Sequence, residues 1–151
     1  MTPPPRSAEQ RKQDTLQRLR HDVDAWVATA GDESPYLVPL SFLWDGETLL
    51  LSTATASPTA RNLLKTGRTR VCVGLTRDVV VVEGTVEAVP DTEIDQATGD
   101  AFAAACGFDP RASKAPYHYF RVRPVLIQAW REANELEGRD VMRDGRWIVP
   151  G

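Results

Sequence analysis

Residues 35–54 read PYLVPLSFLWDGETLLLSTA, two apolar, β-rich runs joined by Asp45-Gly46. An Asp-Gly pair accepts the positive φ angles of a tight hairpin turn, so the two runs pair antiparallel. Further strand-like runs are DAWVATA ending at Ala30, TRVCVGL at 69–75, VVVVEGTVEAV at 79–89 and the long YHYFRVRPVLIQAW beginning at Tyr117. The last stretch, GRDVMRDGRWIVPG, holds a second Asp-Gly pair and reads as a closing hairpin. No strand–helix–strand alternation runs through the chain, which argues against a doubly wound parallel sheet. Six or seven strands and three helices are expected, in a mainly β, mostly antiparallel barrel with accessory helices. Pro39 implies an edge, a bulge or a place where its missing N–H is not needed, and Gly84 a bend.

The helices are marked by their ends. Ser7 caps one running to about His21, with Leu16 and Leu19 as its few apolar contacts, which predicts a helix on the domain surface. Ser57 at N-cap, Pro58 at N1 and Gly67 as a stop delimit a second, with Ala60, Leu63 and Leu64 turned inward. A third starts at Asp91 or Thr92 and ends at Gly107, with Ile94, Ala97, Ala101, Phe102 and Ala105 inward.

With 151 residues the chain makes one domain, 1–151, its proline-rich residues 1–6 a loose tail. A net charge of −3 lacks the basic face that nucleic acid or an anionic membrane demands. No signal-like apolar region and no run of membrane-spanning length are present, so a cytoplasmic location is expected. Cys72 and Cys106 lie in apolar runs, and with His21 and His118 as the only histidines no metal site is expected.

The segment STATASPTARNLLKTGRTRV, residues 52–71, offers a candidate site. A helix start presents unpaired amides and the positive end of a dipole, Arg61 adds a donor fork, and Thr53, Thr55 and Ser57 add hydroxyls. Such a set suits a phosphate; a capped surface helix with solvated Arg61 and Lys65 has the same sequence. Trp130 and Arg131 read either as a ligand wall with a cation or as a half-buried Trp beside an outward Arg. His118 and Tyr119 are the only candidate proton donors, and a hydrolytic triad is not suggested.

Together, PYLVPLSFLWDGETLLLSTATASPTARNL, RVCVGLTRDVVVVEGTVEAV and RVRPVLIQAW resemble the pyridoxamine 5'-phosphate oxidase-like superfamily, flavin- or deazaflavin-binding split β-barrels. The resemblance runs from about Val23 to Trp147. It implies a six-stranded antiparallel split barrel that forms a homodimer with two cofactor sites at the subunit interface. It implies FMN or the deazaflavin coenzyme F-420. By position, Val38, Pro39 and Leu40 would line the ring, and Thr53, Ala54 and Thr55 would sit beside ring and tail. Ser57, Arg61 and Asn62 would hold the phosphate end, and Trp130 and Arg131 would approach from the partner subunit.

Three departures accompany the resemblance. Where relatives of the vitamin oxidase type carry an Arg-Gln pair before the VEG strand, this chain has Arg77-Asp78. Where many carry a Lys two residues before the helix Arg, it has Thr59. The C-terminal Arg-x-His pair that grips pyridoxal phosphate is absent from GRDVMRDGRW. The resemblance thus implies hydride transfer between FMN or F-420 and a small unidentified substrate rather than pyridoxamine phosphate oxidation. A non-catalytic carrier of flavin, F-420 or haem is the alternative.

Overall fold

The computed structural model describes residues 1–32 and 34–151. After helix α1 (Ala8–His21) come strands β1 (Asp24–Ala30), β2 (Pro35–Trp44) and β3 (Leu49–Ala54), then helix α2 (Pro58–Thr66). Strands β4 (Arg68–Leu75) and β5 (Asp78–Pro90), helix α3 (Gln96–Cys106), strand β6 (Tyr117–Trp130) and the short hairpin β7 (Asp140–Arg143) and β8 (Arg146–Trp147) complete the chain.

The strands pair antiparallel in the order β3-β2-β1-β4-β5-β6, and pairing of β3 with β6 closes a six-stranded barrel. Strands β7 and β8 extend the far half of β6, at Ile127 and Gln128, beyond the part that β3 occupies. Alternation sets the interior: Val27, Leu51, Val71, Val73, Val82 and Phe120 are all fully buried. The bend expected at Gly84 is a β-bulge, where the register with β6 shifts between Glu83 and Gly84 opposite Pro124. A Cβ on Gly84 would come within 2.7 Å of the Arg123 carbonyl oxygen, so the two strands cross there only because Gly84 has no side chain. The bulged carbonyl, that of Val125, accepts a hydrogen bond from the Gly145 amide in the β7–β8 turn.

Four expectations about packing are corrected. Helix α3 begins at Gln96 rather than at Asp91 or Thr92, because the Asp95 side chain accepts the Thr98 amide as the cap and residues 91–93 form a turn. That start rephases the helix: Gly99, Phe102 and Cys106 face the barrel, while Ala97, Ala101 and Ala105 are exposed. In α2, Ala60 and Leu63 are buried but Leu64 is 54% exposed, since nine residues dock one narrow stripe. Leu43 and Trp44, which from the sequence are expected as exposed apolar residues that motivate a homodimer, are covered. Trp44 packs in the barrel interior and Leu43 against the cluster of Leu50, Phe102 and Tyr119 beneath α3, so both faces of β2 are covered here.

Helix α1 is bound more firmly than its two leucines suggest. Leu19 is buried, and so are Arg11, Lys12 and Thr15. The Arg11 guanidinium donates to the carbonyls of Ala129, Glu135 and Gly138 at 3.2, 3.0 and 2.8 Å, and Lys12 to that of Val149 at 2.7 Å. These cations tie α1 to the β6–β7 loop and the C-terminal residues, burying their aliphatic stems on the way. Arg6, just before the helix, is held by Glu135 and Asp14.

Candidate functional site

The ladder between β2 and β3 runs only from Phe42, Leu43 and Trp44 to Leu51, Leu50 and Leu49. Beyond it the strands part. Residues 35–41 keep β1 on one side, and residues 52–54 keep β6 on one side. Pro39 therefore lies where β2 has no second strand partner, which is how the sheet tolerates its missing N–H. The parting opens a pocket of about 360 Å³. Its strand walls are Pro39, Leu40 and Ser41 on one side and Ser52, Thr53 and Ala54 on the other. Phe102 and Cys106 of α3, with Phe108 and Tyr117 beyond it, close the third side. Phe108 packs against Tyr117 with the rings tilted and their centroids 5.3 Å apart, and burial beside Asp24 pushes the Cys106 thiol up to about 11, so it stays neutral.

One turn past Ala54, α2 begins. Ser57 is the cap, its Oγ accepting the Ala60 amide at 3.0 Å and lying 3.0 Å from the Thr53 hydroxyl. Pro58 has no amide and the Arg61 amide bonds the Ser57 carbonyl. Thr59 thus has the one first-turn amide without an intrahelical partner, among the described residues. The anion-binding capacity of this helix start rests chiefly on Arg61, which is exposed and spends one donor on the Ala56 carbonyl. Asn62 turns toward the barrel, donating to the Thr29 hydroxyl at 3.0 Å. Lys65 pairs with Asp32. Thr55 is fastened to the Pro116 carbonyl by its amide and its hydroxyl, at 3.0 and 2.6 Å.

Nine of the eleven expected site residues, Val38 to Leu40, Thr53 to Thr55, Ser57, Arg61 and Asn62, thus gather around the split and the start of α2. Trp130 and Arg131 do not join them within one chain. They lie at the other end of β6, whose 14 residues span roughly 40 Å along the strand at about 3.3 Å each. Arg131 is held by Asp14 at 3.6 Å and Asp78 at 3.3 Å, and Asp78 also meets Arg18 at 3.0 Å. Asp78 is therefore part of an ion-pair network that braces α1 against β5.

Of the two candidate proton donors, Tyr119 is fully buried edge-on to Phe102, its hydroxyl has no hydrogen-bond partner among the described residues, and burial raises its pKa. His118 pairs with Thr53 across β3 and β6 and leaves its Nδ1 buried without a partner. A third unpartnered polar atom, the Oγ of Ser52, belongs to the pocket wall. Sequence reasoning took Ser52 only as a small residue ending a strand. The pocket contribution of Phe102, Cys106 and Phe108 was also missed, because it depends on how α3 docks and no local pattern reports that. Among the described residues no cluster of His, Cys, Asp and Glu could hold a metal ion, and no helix is long and apolar enough to cross a membrane.

A closed six-stranded antiparallel barrel with one split and a helix starting at its mouth is the architecture of the split-barrel flavoprotein class. The family model for pyridoxamine 5'-phosphate oxidase matches residues 13–131, and the chain belongs to that family of flavin-related oxidoreductases. No curated protein matches its sequence. Among solved structures it is similar to an F420 reductase, at 25% identity over 74% of this chain and 93% of that one, with a TM-score of 0.60. A putative pyridoxamine 5'-phosphate oxidase from Listeria innocua is 15% identical over 82% of this chain and 98% of that one, with a TM-score of 0.64. A FAD-binding protein from Mesorhizobium loti is 22% identical over 77% and 89%, also with a TM-score of 0.64. The last two likenesses speak for the fold alone.

Proposed function

We propose that the protein is an oxidoreductase that moves a hydride between FMN or coenzyme F-420 and a small organic substrate. The observation that carries this reading is the continuity of the split with the start of α2. A flat ring fits between strands whose backbone edges are unpaired, and a phosphate fits one turn away at Arg61. The unpaired strand edges suit a ring rimmed with nitrogen and oxygen atoms, so the residues present fit such a group. Val38, Pro39, Leu40, Thr53, Ala54 and Thr55 would flank the ring, with Ser57 and Arg61 at the anionic end. Asn62 would act by fixing α2 against β1. The bound ring would supply the redox chemistry; the chain binds, orients and excludes water.

We infer a homodimer as the working unit. Trp26 is 51% exposed and Leu37 59%, and the pairings of Trp26 with Pro39 and of Ala28 with Leu37 put them on one continuous outer face of β1 and β2. A second copy covering that face would offer its Trp130 and Arg131 to the split. Pyridoxamine phosphate is not the proposed substrate, because the β7–β8 hairpin carries no histidine to pair with its arginines. The burial of Tyr119 beneath Phe102 favours one second reading, a carrier that holds the cofactor without turnover.

The test is a titration of cofactor-free protein with FMN and with F-420, followed by absorbance, and then reduction or oxidation of the bound ring by a substrate panel. Binding with turnover supports the enzyme. Binding without turnover supports the carrier, and no binding of either cofactor at micromolar concentration defeats both.

A further inference from the structure

The pocket in the split differs from the α2 start in one respect: among the described residues lining it, none carries a charge. Its third wall is aromatic and thiol, from Phe102, Cys106, Phe108 and Tyr117. A negative charge borders it at Asp24. Asp24 accepts the Ser41 hydroxyl at 2.8 Å and is close enough to Cys106 to disfavour the thiolate. An anion entering here would lose its hydration with no cation to replace it, and would meet the field of Asp24. Ser52, with a buried hydroxyl lacking any partner, supplies one hydrogen-bond donor in the wall. Resting on the oxidoreductase reading above, we propose that the α3 side of this pocket is the substrate's place. It selects an uncharged, flat molecule whose hydrogen-bond acceptor meets Ser52. Phosphorylated or carboxylated substrates are rejected there. Anionic recognition is confined to the Arg61 end, which serves the cofactor.

A matched probe pair tests this without relying on turnover. Calorimetric titration of cofactor-free protein with 2-acetylnaphthalene and 2-naphthoate compares one shape with and without charge. The neutral probe is expected to bind at least about tenfold more tightly; equal affinity, preference for the carboxylate, or binding of neither overturns the proposal. Phe108→Arg places a cation at an exposed position of the pocket wall and should narrow or invert the preference; an unchanged ratio would show that the probes bind elsewhere. Ser52→Ala should weaken the neutral probe about three- to tenfold, the worth of one neutral hydrogen bond. Its thermal midpoint should hold, because the lost hydroxyl has no partner in the fold. Unaltered affinity in Ser52→Ala overturns the acceptor contact. Repeating the titration with saturating FMN or F-420 separates the two readings. Retained probe binding supports a substrate place beside the ring, and displacement assigns the pocket to the ring and overturns it. Intact probe selectivity in a protein that binds neither cofactor upholds the pocket's chemistry and defeats the oxidoreductase reading.

Discussion

Glu135 carries the most sharply defined energetic consequence in the molecule. It is 2% exposed and accepts the Arg6 amide at 2.8 Å, the Arg6 guanidinium at 3.0 and 2.8 Å, and the Arg131 amide at 2.8 Å. The Arg6 guanidinium, foremost, and the two amides hold its carboxyl at about 2, against a usual 4.5. A depressed acid stabilises the folded chain above its unfolded pKa, and that contribution is lost as pH falls through the folded one. The window is therefore about pH 4.5 down to about 2. Holding the carboxyl at about 2 rather than 4.5 is worth about 3–4 kcal/mol at most, at about 1.4 kcal/mol per tenfold change. Glu135→Gln removes this and leaves Arg6 and Arg11 buried beside an amide, so a loss of about 3 kcal/mol is expected at pH 7. The assay is urea unfolding of both proteins from pH 7 to pH 2, at one protein concentration so that assembly does not enter. The difference between the two curves isolates Glu135 from the other titrating carboxylates. It should be largest at pH 7 and shrink steadily below pH 4.5. A difference under about 0.5 kcal/mol at pH 7, typical of an ordinary surface site, would refute the reasoning. So would one that stays constant down to pH 2.

Arg61→Ala should weaken FMN or F-420 binding at least about tenfold, one decade being about 1.4 kcal/mol, while moving stability by under about 0.5 kcal/mol; equal affinities in a cofactor titration would remove the phosphate role. Gly84→Ala forces a Cβ to within 2.7 Å of the Arg123 carbonyl oxygen and should cost about 1–3 kcal/mol in the same urea assay. Trp26→Asp puts a charge in the outer face of β1 and should shift sedimentation from dimer to monomer; a wild-type protein already monomeric at micromolar concentration would remove the interface. Tyr119→Phe deletes a buried hydroxyl with no partner and should leave the thermal midpoint unchanged or raised, and a marked fall would reveal a bond to that hydroxyl.

The barrel was legible because its signals are local. Asp45-Gly46 set one hairpin, Ser57, Pro58 and Gly67 punctuated α2, and the β-branched runs within residues 69–89 marked two more strands. Helix α3 was misplaced for an equally local reason: Asp91, Thr92 and Asp95 are all capping residues, and only the docking of Phe102 on Tyr119 decides among them. Its alanines offered no phase. Helix α1 was underestimated because Arg11 and Lys12 count as solvent-facing residues, whereas here they reach carbonyls more than a hundred residues away. The site was legible as a set of positions and not as a shape. No spacing in the sequence shows that β2 and β3 separate beyond the pairing of Phe42 with Leu51.

That separation connects the fold to its proposed use. Strand edges left unpaired in the interior of a sheet are costly, since backbone groups shut away from water need partners. Closing the barrel through β3 and β6 forces the choice on this chain. Ser52, Thr53 and Ala54 are drawn to β6, while Leu37 to Ser41 stay with β1, so one edge of each must open. Pro39 lowers the cost on one side, having no N–H to leave unsatisfied. Two helices then border the opening with opposite chemistry: α2 brings Arg61 and a positive helix end, α3 brings Phe102 and Cys106. A ligand that is anionic at one end and flat and neutral at the other satisfies both borders and the edges between them. Water would meet the hydrogen bonds alone.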